Sequence, residues 1–372
     1  MDISKRLTSL DAFRGLAIAG MILVNNPGSW SHVYAPLLHA KWHGWTPTDW
    51  IFPFFLFIMG VAIPLSMSKY HGDPAERRAL WLRIFRRTAI LFGLGLFLYG
   101  YPHFDWAEIR IPGVLQRIAV CYLAVSALVM LVPRPRDQWL VMGGLIALYL
   151  VIMWGLAVPE HGRGVLTPDG NAAAYVDRLL IGQAHLWGNR PYDPEGLVST
   201  LPAILSTFLG LKFGRVLVNT KDQQQVLNIW FTWAAVLLVA GLVAGNQVIP
   251  VNKQLWTPSY ALLMAGFAGF FLATCYWVIE VRKHRRWAAP FIYMGMNPLI
   301  IFWLSGFLVV NLALVKLDTA VGEKSLWTWI YLEGYLSWLP DYPASLAFAL
   351  TNVLLWLLVG WVMFRRKWFI KV

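Results

Sequence analysis

Ten long apolar runs constrain this chain more than any other feature: 10–27, 50–68, 84–101, 113–132, 139–157, 199–217, 226–247, 259–280, 291–314 and 343–364. Coiled as a helix rising about 1.5 Å per residue, each is close to the length needed to cross a hydrocarbon layer of about 30 Å. With 58% hydrophobic and 13% charged residues over 372 positions, no soluble domain could hide so much apolar surface. In lipid every backbone N–H and C=O must be bonded within the protein, which leaves helices for runs of this length. The expected fold class is therefore all-α: a polytopic membrane bundle of about ten transmembrane helices. It is read as one domain over 1–372, with an outer-face loop at about 158–198.

Lys and Arg number 31 against 19 Asp and Glu, an excess that on a soluble protein would suggest nucleic acid. Its distribution argues against that partner. Twenty-two of the 31, from Lys5, Arg6 and Arg14 through Lys69 and Arg77 to Arg365, Arg366, Lys367 and Lys371, fall on the side that holds the N-terminus. The positive-inside rule then puts both termini in the cytoplasm, and the net charge is a topology signal. Cys121 and Cys275 both lie within apolar runs, so no disulfide framework is implied. The first run follows basic residues without a cleavage site, and reads as a span rather than a signal peptide. The partner this composition demands is a lipid bilayer, with a bacterial inner membrane as the expected location.

The polar residues with chemical interest gather at span ends. From Leu38 to Gly60 the sequence opens with His39, Lys41, Trp42, His43, Trp45, Thr46 and Asp49 and then turns almost wholly apolar from Trp50 to Met67. Titratable groups beside an apolar helix mouth suggest a site, although a Trp-rich loop also serves as an interfacial aromatic belt. Pro47, Thr48 and Asp49 resemble a helix start, with Asp49 well placed at its N-terminus. A carboxylate there is of the kind that fixes a histidine tautomer, but ten residues of separation do not show that His39 and Asp49 meet.

Other segments carry a structural and a functional reading side by side. Asp11 and Arg14 share a helix face and can pair. Asn25 and Asn26 close the first span, where an amide either bonds between helices or polarises a bound carbonyl. The basic stretch 69–87, with Arg86 and Arg87, serves topogenesis or docks a polyanion such as a phosphorylated cofactor. Gln116 and Arg117 sit just inside an apolar helix, and an arginine there is either functional or snorkels to the interface. The 158–198 loop brings Asp177, Arg178, Asp193 and Glu195, as ion-pairing partners or as sugar ligands. Pro298 after Asn297 frees a backbone carbonyl near a span end, and 325–338 reads as an interfacial aromatic segment. No Walker loop, GxGxxG, GxSxG or metal-spaced His/Cys cluster occurs, so no metal is expected.

Taken together, RLTSLDAFRGLAI, LHAKWHGWTPTDWIFPFFLFIMG, RIPGVLQRIAV, AAAYVDRLLIGQAHLW, YDPEG, IPVNKQLWTPSY and GMNP resemble one family, in its order and from Arg6 to about Asn297. It is the transmembrane heparan-α-glucosaminide N-acetyltransferases and their bacterial relatives. The resemblance implies transfer of acetyl from cytosolic acetyl-CoA, a co-substrate, to the amino group of a glucosamine-type sugar or glycan across the membrane. It implies His39 as base or acetyl carrier, with Asn25 and Asp49 beside it. Coenzyme A phosphates are expected near Arg14, Arg86, Arg87 and Asn297, and the acceptor near Trp42, Trp45, Asp177, Arg178, Asp193 and Glu195. The sequence departs from the family in a looser Asn25–His39 spacing, shorter outer loops, and LIIFWLSG after GMNP in place of a histidine–acid pair. An amino-sugar transporter and an envelope-polysaccharide O-acyltransferase are the alternatives, and exposed aromatic spans make a homodimer a candidate assembly.

Overall fold

The computed structural model describes residues 7–67, 73–319 and 322–370; Lys5, Arg6, Lys69 and Lys371 of the charge pattern lie outside the described residues. Among the described residues, thirteen α-helices follow in order: α1 Thr8–Asn25, α2 Ile51–Met67, α3 Pro74–Gly100, α4 Val114–Leu131, α5 Pro135–Gly155, α6 Ala172–Leu180, α7 Leu197–Asn219, α8 Gln223–Gln247, α9 Pro258–Tyr276, α10 Ala289–Gly295, α11 Pro298–Leu314, α12 Leu326–Tyr331 and α13 Asp341–Arg365. A two-stranded antiparallel hairpin, β1 Lys316–Thr319 and β2 Gly322–Ser325, is the small departure from an all-α chain.

Each of the ten apolar runs coincides with a helix or a helix pair, but they are not equivalent. Among the described residues, seven helical segments are long and apolar enough to cross a membrane unaided: Pro47–Met67, Val114–Leu131, Pro135–Gly155, Leu197–Asn219, Gln223–Gln247, Pro258–Val281 and Asp341–Arg365. An eighth is a pair, Arg286–Gly295 and Pro298–Leu314, bent by 71° at the break that Asn297–Pro298 announces. Helix α3 falls short because its first half carries Arg77, Arg78, Arg83, Arg86 and Arg87, leaving only its second half apolar. The chain is an integral, multi-pass membrane protein.

Local chemistry explains where the helices start. Asp73 accepts from the Ala75 N–H at 3.0 Å ahead of Pro74, Asn171 from the Ala174 N–H at 2.7 Å, and Asp222 from the Gln224 N–H at 3.1 Å. These side chains satisfy donors that have no partner in a first helical turn.

Two compact units form. One holds 7–39, 46–52 and 271–370; the other holds 40–45 and 53–270. In the first, α1 packs on α10, α11 and α13. A Cβ at Gly15 would sit 1.7 Å from the Phe291 carbonyl oxygen, and one at Gly295 would sit 1.8 Å from that of Asp11. Such backbone contact is the means by which membrane helices gain packing that lipid does not supply. Gly15→Ala should therefore push α1 off α10 and lower stability by about 1–3 kcal/mol, the usual cost of overpacking. A melting temperature in detergent equal to wild type would show that the two helices can separate freely. In the second unit, α3 packs on α4, α4 and α5 on α7, and α6 on α5 and α7. Gly210 lets α7 approach α2, where an added Cβ would lie 2.0 Å from the Phe57 carbonyl oxygen.

Candidate active site

In the first unit, the loop before α2 is held by hydrogen bonds that converge on Asp49. Thr46 and Asp49 form a reciprocal capping box around the short 3₁₀ turn Pro47–Trp50. Asp49 Oδ2 accepts from the Thr46 N–H at 2.9 Å and from its hydroxyl at 3.2 Å. The Thr46 hydroxyl also reaches the Leu38 carbonyl at 2.6 Å, and the Thr48 hydroxyl reaches that of Pro36 at 3.2 Å. The strand of backbone that carries His39 is thereby tied to the turn that carries Asp49.

The two side chains meet. His39 Nδ1 lies 2.7 Å from Asp49 Oδ1, with the carboxylate fully buried and the imidazole 40% exposed. An ionised carboxylate only accepts, so Nδ1 bears a hydrogen and, in the neutral ring, Nε2 carries the lone pair. A histidine held in this way has the geometry that an oriented base or nucleophile needs. Asn25 is the last residue of α1 and is exposed, whereas Asn26 is buried and donates to the Ile22 carbonyl at 2.8 Å. Of the two amides, Asn25 is the one free of that internal bond.

The tryptophans of the loop belong to the second unit and are engaged in packing. The Trp42 indole donates to the Leu166 carbonyl at 2.7 Å and meets Tyr192 edge-on at 5.1 Å. Trp45 packs on Phe267 at 5.1 Å and keeps 37% of its surface exposed. His43, unmarked by the motif reasoning, accepts from Asn252 Nδ2 at 3.3 Å, and burial lowers its pKa. Asn252 is fully buried and also accepts from the Leu255 N–H at 2.9 Å.

The candidates of the 158–198 loop are pinned to their own surroundings. Asp193 accepts from Arg110 Nε at 2.9 Å and Nη2 at 2.7 Å, and from the backbone N–H groups of Trp187 and Glu195, each at 2.8 Å. Glu195 takes a further bond from Arg110 Nη2 at 2.6 Å. Asp177 accepts from the Leu197 N–H at 2.8 Å; burial, aided by the Asp193 charge, pushes its carboxyl up to about 7. Arg178 does not pair with Asp177 but donates to the carbonyls of Pro191 and, at 3.3 Å, Asp169. Arg117 does not snorkel. Only 2% exposed, it donates to the Gly196 carbonyl at 3.1 Å and to the Ser199 hydroxyl, over the Trp256 ring at 5.0 Å.

The residues nominated for coenzyme A divide between the units. Arg14 pairs with Asp11 at 3.1 Å at the start of α1. Asn297 is buried and spends both ends of its amide on the C-terminal segment, donating to Trp368 O at 2.9 Å and accepting from Ile370 N at 2.9 Å. In the second unit Arg86 is exposed and Arg87 lies over the Tyr122 ring at 4.7 Å. Sequence reasoning treated Arg285 and Arg286 only as topology charges. The first unit places both at a cavity of about 270 Å³ with Thr8, Asp11, Tyr293 and Phe364. Their run of basic residues was the available signal, masked by its use in fixing orientation.

Comparison with known proteins gives the following. Residues 6–139 match the model of a domain of unknown function (DUF5009). The chain is 30% identical to the heparan-alpha-glucosaminide N-acetyltransferase of Mus musculus over 422 aligned residues, which cover 99% of this chain and 61% of that protein. It is 31% identical to the Homo sapiens protein of the same name over 420 residues, covering 99% of this chain and 60% of that one. The chain thus spans about three fifths of the length of the curated relatives it matches. The aligned similarity extends over 99% of this chain, and so over the segments that carry the resemblance.

Proposed function

We propose that this protein is a transmembrane acetyltransferase that moves acetyl from cytosolic acetyl-CoA to the amino group of a glucosamine-type sugar on the other side of the membrane. The observation that carries the reading is the His39–Asp49 pair, which sets the imidazole tautomer so that the lone pair of the neutral ring lies on Nε2. A thioester is already activated, so the protein has to position it, accept a proton and stabilise an oxyanion. In direct transfer, Nε2 takes the proton as the amine attacks the thioester carbon. The tetrahedral intermediate then collapses, the C–S bond breaks, and the imidazolium returns the proton to the departing thiolate. In the two-step alternative Nε2 itself attacks, coenzyme A leaves, and the amine then takes the acetyl from the acyl-imidazole. Asn25 is the oxyanion donor in either route.

Phosphates of coenzyme A call for cations without a carboxylate competitor at close range. Arg86 and Arg87 of the second unit remain candidates, and in the first unit Arg286 at its cavity becomes one, whereas Arg14 pairs with Asp11 at 3.1 Å and Arg285 with Glu280 at 3.3 Å. For the acceptor, exposed Trp45 is a better stacking face than Trp42, whose indole N–H is already engaged.

The test is purified protein with acetyl-labelled coenzyme A and glucosamine, following N-acetylglucosamine and free thiol together. Protein held with acetyl-CoA alone separates the routes: label retained on His39 supports the acyl-imidazole, and no label supports direct transfer. The 71° break between α10 and α11 keeps a transporter in view, because discontinuous helices build many transport sites. Uptake of amino sugar into proteoliposomes without acetyl-CoA would favour that reading over transfer. Equal rates on amine and hydroxyl acceptors would favour an O-acyltransferase.

A further inference from the structure

On the second unit, the start of α5, the second half of α7 and the stretch 230–237 of α8 enclose a cavity of about 210 Å³. Trp139, Trp230 and Trp233 wall it, with Phe213, Leu237 and Lys212. Lys212 and Arg215 converge on one oxygen: Gln138 Oε1 accepts from Lys212 Nζ at 3.4 Å and from Arg215 Nη1 at 2.7 Å. The amide orientation is set because Gln138 Nε2 donates to the Val132 carbonyl at 2.7 Å. Lys212 also lies 5.0 Å over the Trp139 ring and 4.5 Å over Phe208.

This arrangement is unbalanced. Two half-buried cations share one neutral acceptor, and among the described residues neither has a carboxylate partner. A lysine offers three donors and an arginine five, so most of their hydrogen-bonding capacity points elsewhere. Cations on membrane helices at this depth need an anion or an aqueous cavity. Lys212 stands seven residues before the end of α7, about 10 Å along the helix. That is the end at which Arg134, Arg136 and Lys221 gather, the face that the charge bias assigns to the cytoplasm. Meanwhile Trp139 and Trp233 keep 41% and 47% of their surfaces exposed on helices long enough to span lipid.

We propose that this cavity binds an anionic phospholipid of the inner leaflet, its phosphate on Lys212 and Arg215 and its upper acyl chain against the tryptophans. The charge complement and the apolar wall select the lipid over a free phosphate: an inorganic ion would surrender its hydration to tryptophan faces and gain nothing from them. The proposal stands apart from acetyl transfer and uses none of the residues assigned to it.

The test is native mass spectrometry of the full protein titrated with phosphatidylglycerol, phosphatidylcholine or inorganic phosphate, beside melting curves under the same additions. One phosphatidylglycerol should remain bound and raise the melting temperature, with phosphatidylcholine and phosphate ineffective. Lys212→Gln with Arg215→Gln should weaken that binding roughly thirtyfold, from about a fivefold loss at each cation. Should that variant fold poorly, Trp233→Ala on the rim should lower lipid retention without touching the charges. Equal retention of phosphatidylcholine, protection by phosphate alone, or an undiminished response in both variants would overturn the assignment.

Discussion

Replacing His39 by alanine should cut acetyl transfer at saturating amino sugar by about 10²–10⁴-fold, the range that a positioned acid–base group supplies. The ring is 40% exposed and contributes little packing, so the melting temperature should stay near that of wild type. Asp49→Asn should lower kcat by a smaller factor, with little change in KM for the sugar. An amide facing Nδ1 can donate to it, which favours hydrogen on Nε2 and removes the lone pair from that nitrogen. Added imidazole should restore part of the rate to His39→Ala if the ring acts only as a base. A His39→Ala protein that acetylates at the wild-type rate would dismiss the site, and a collapse of its melting temperature would recast His39 as structural.

Much of this site could be read from one stretch of chain because its geometry is local. Thr46–Pro47–Thr48–Asp49 spells a helix start, and the capping box it forms is what brings Asp49 under His39. The pairing itself was not legible: it depends on the Thr46 and Thr48 hydroxyls folding 36–38 back over the turn. The Asn297–Pro298 break was legible for the same local reason, since proline removes a donor and opens the helix. Long-range partnerships were hidden. Trp42 finds its acceptor 124 residues away at Leu166, and Asn297 finds its own 71 residues away at Trp368. Helix α3 shows a further limit: hydropathy marks its apolar half and misses the basic half that begins at the Asp73 cap. A charged helical turn outside lipid leaves no hydrophobic signature.

Asp193→Ala should destabilise the protein by about 3–5 kcal/mol, because it strips a buried guanidinium of its bidentate partner. The Arg110 side chain is only 12% exposed and the Asp193 side chain fully buried, so water cannot replace the lost carboxylate cheaply. Burial lowers the Arg110 pKa, but the Glu195 charge and the Asp193 hydrogen bonds outweigh it and hold the group above its ordinary value. The same truncation leaves the N–H groups of Trp187 and Glu195 without their acceptor, loosening the loop that leads to α7. If Asp193 instead binds the acceptor sugar, Asp193→Ala should raise KM and leave the melting temperature in place. Combining it with Arg110→Met decides between these, since removing both charges of a buried pair is often close to neutral. Stability regained in the double variant identifies the pair as a clamp between 99–110 and the YDPEG loop, with the Tyr99 hydroxyl accepting from Arg110 Nη1 at 3.0 Å. Stability unchanged in the single variant would return Asp193 to the list of sugar ligands.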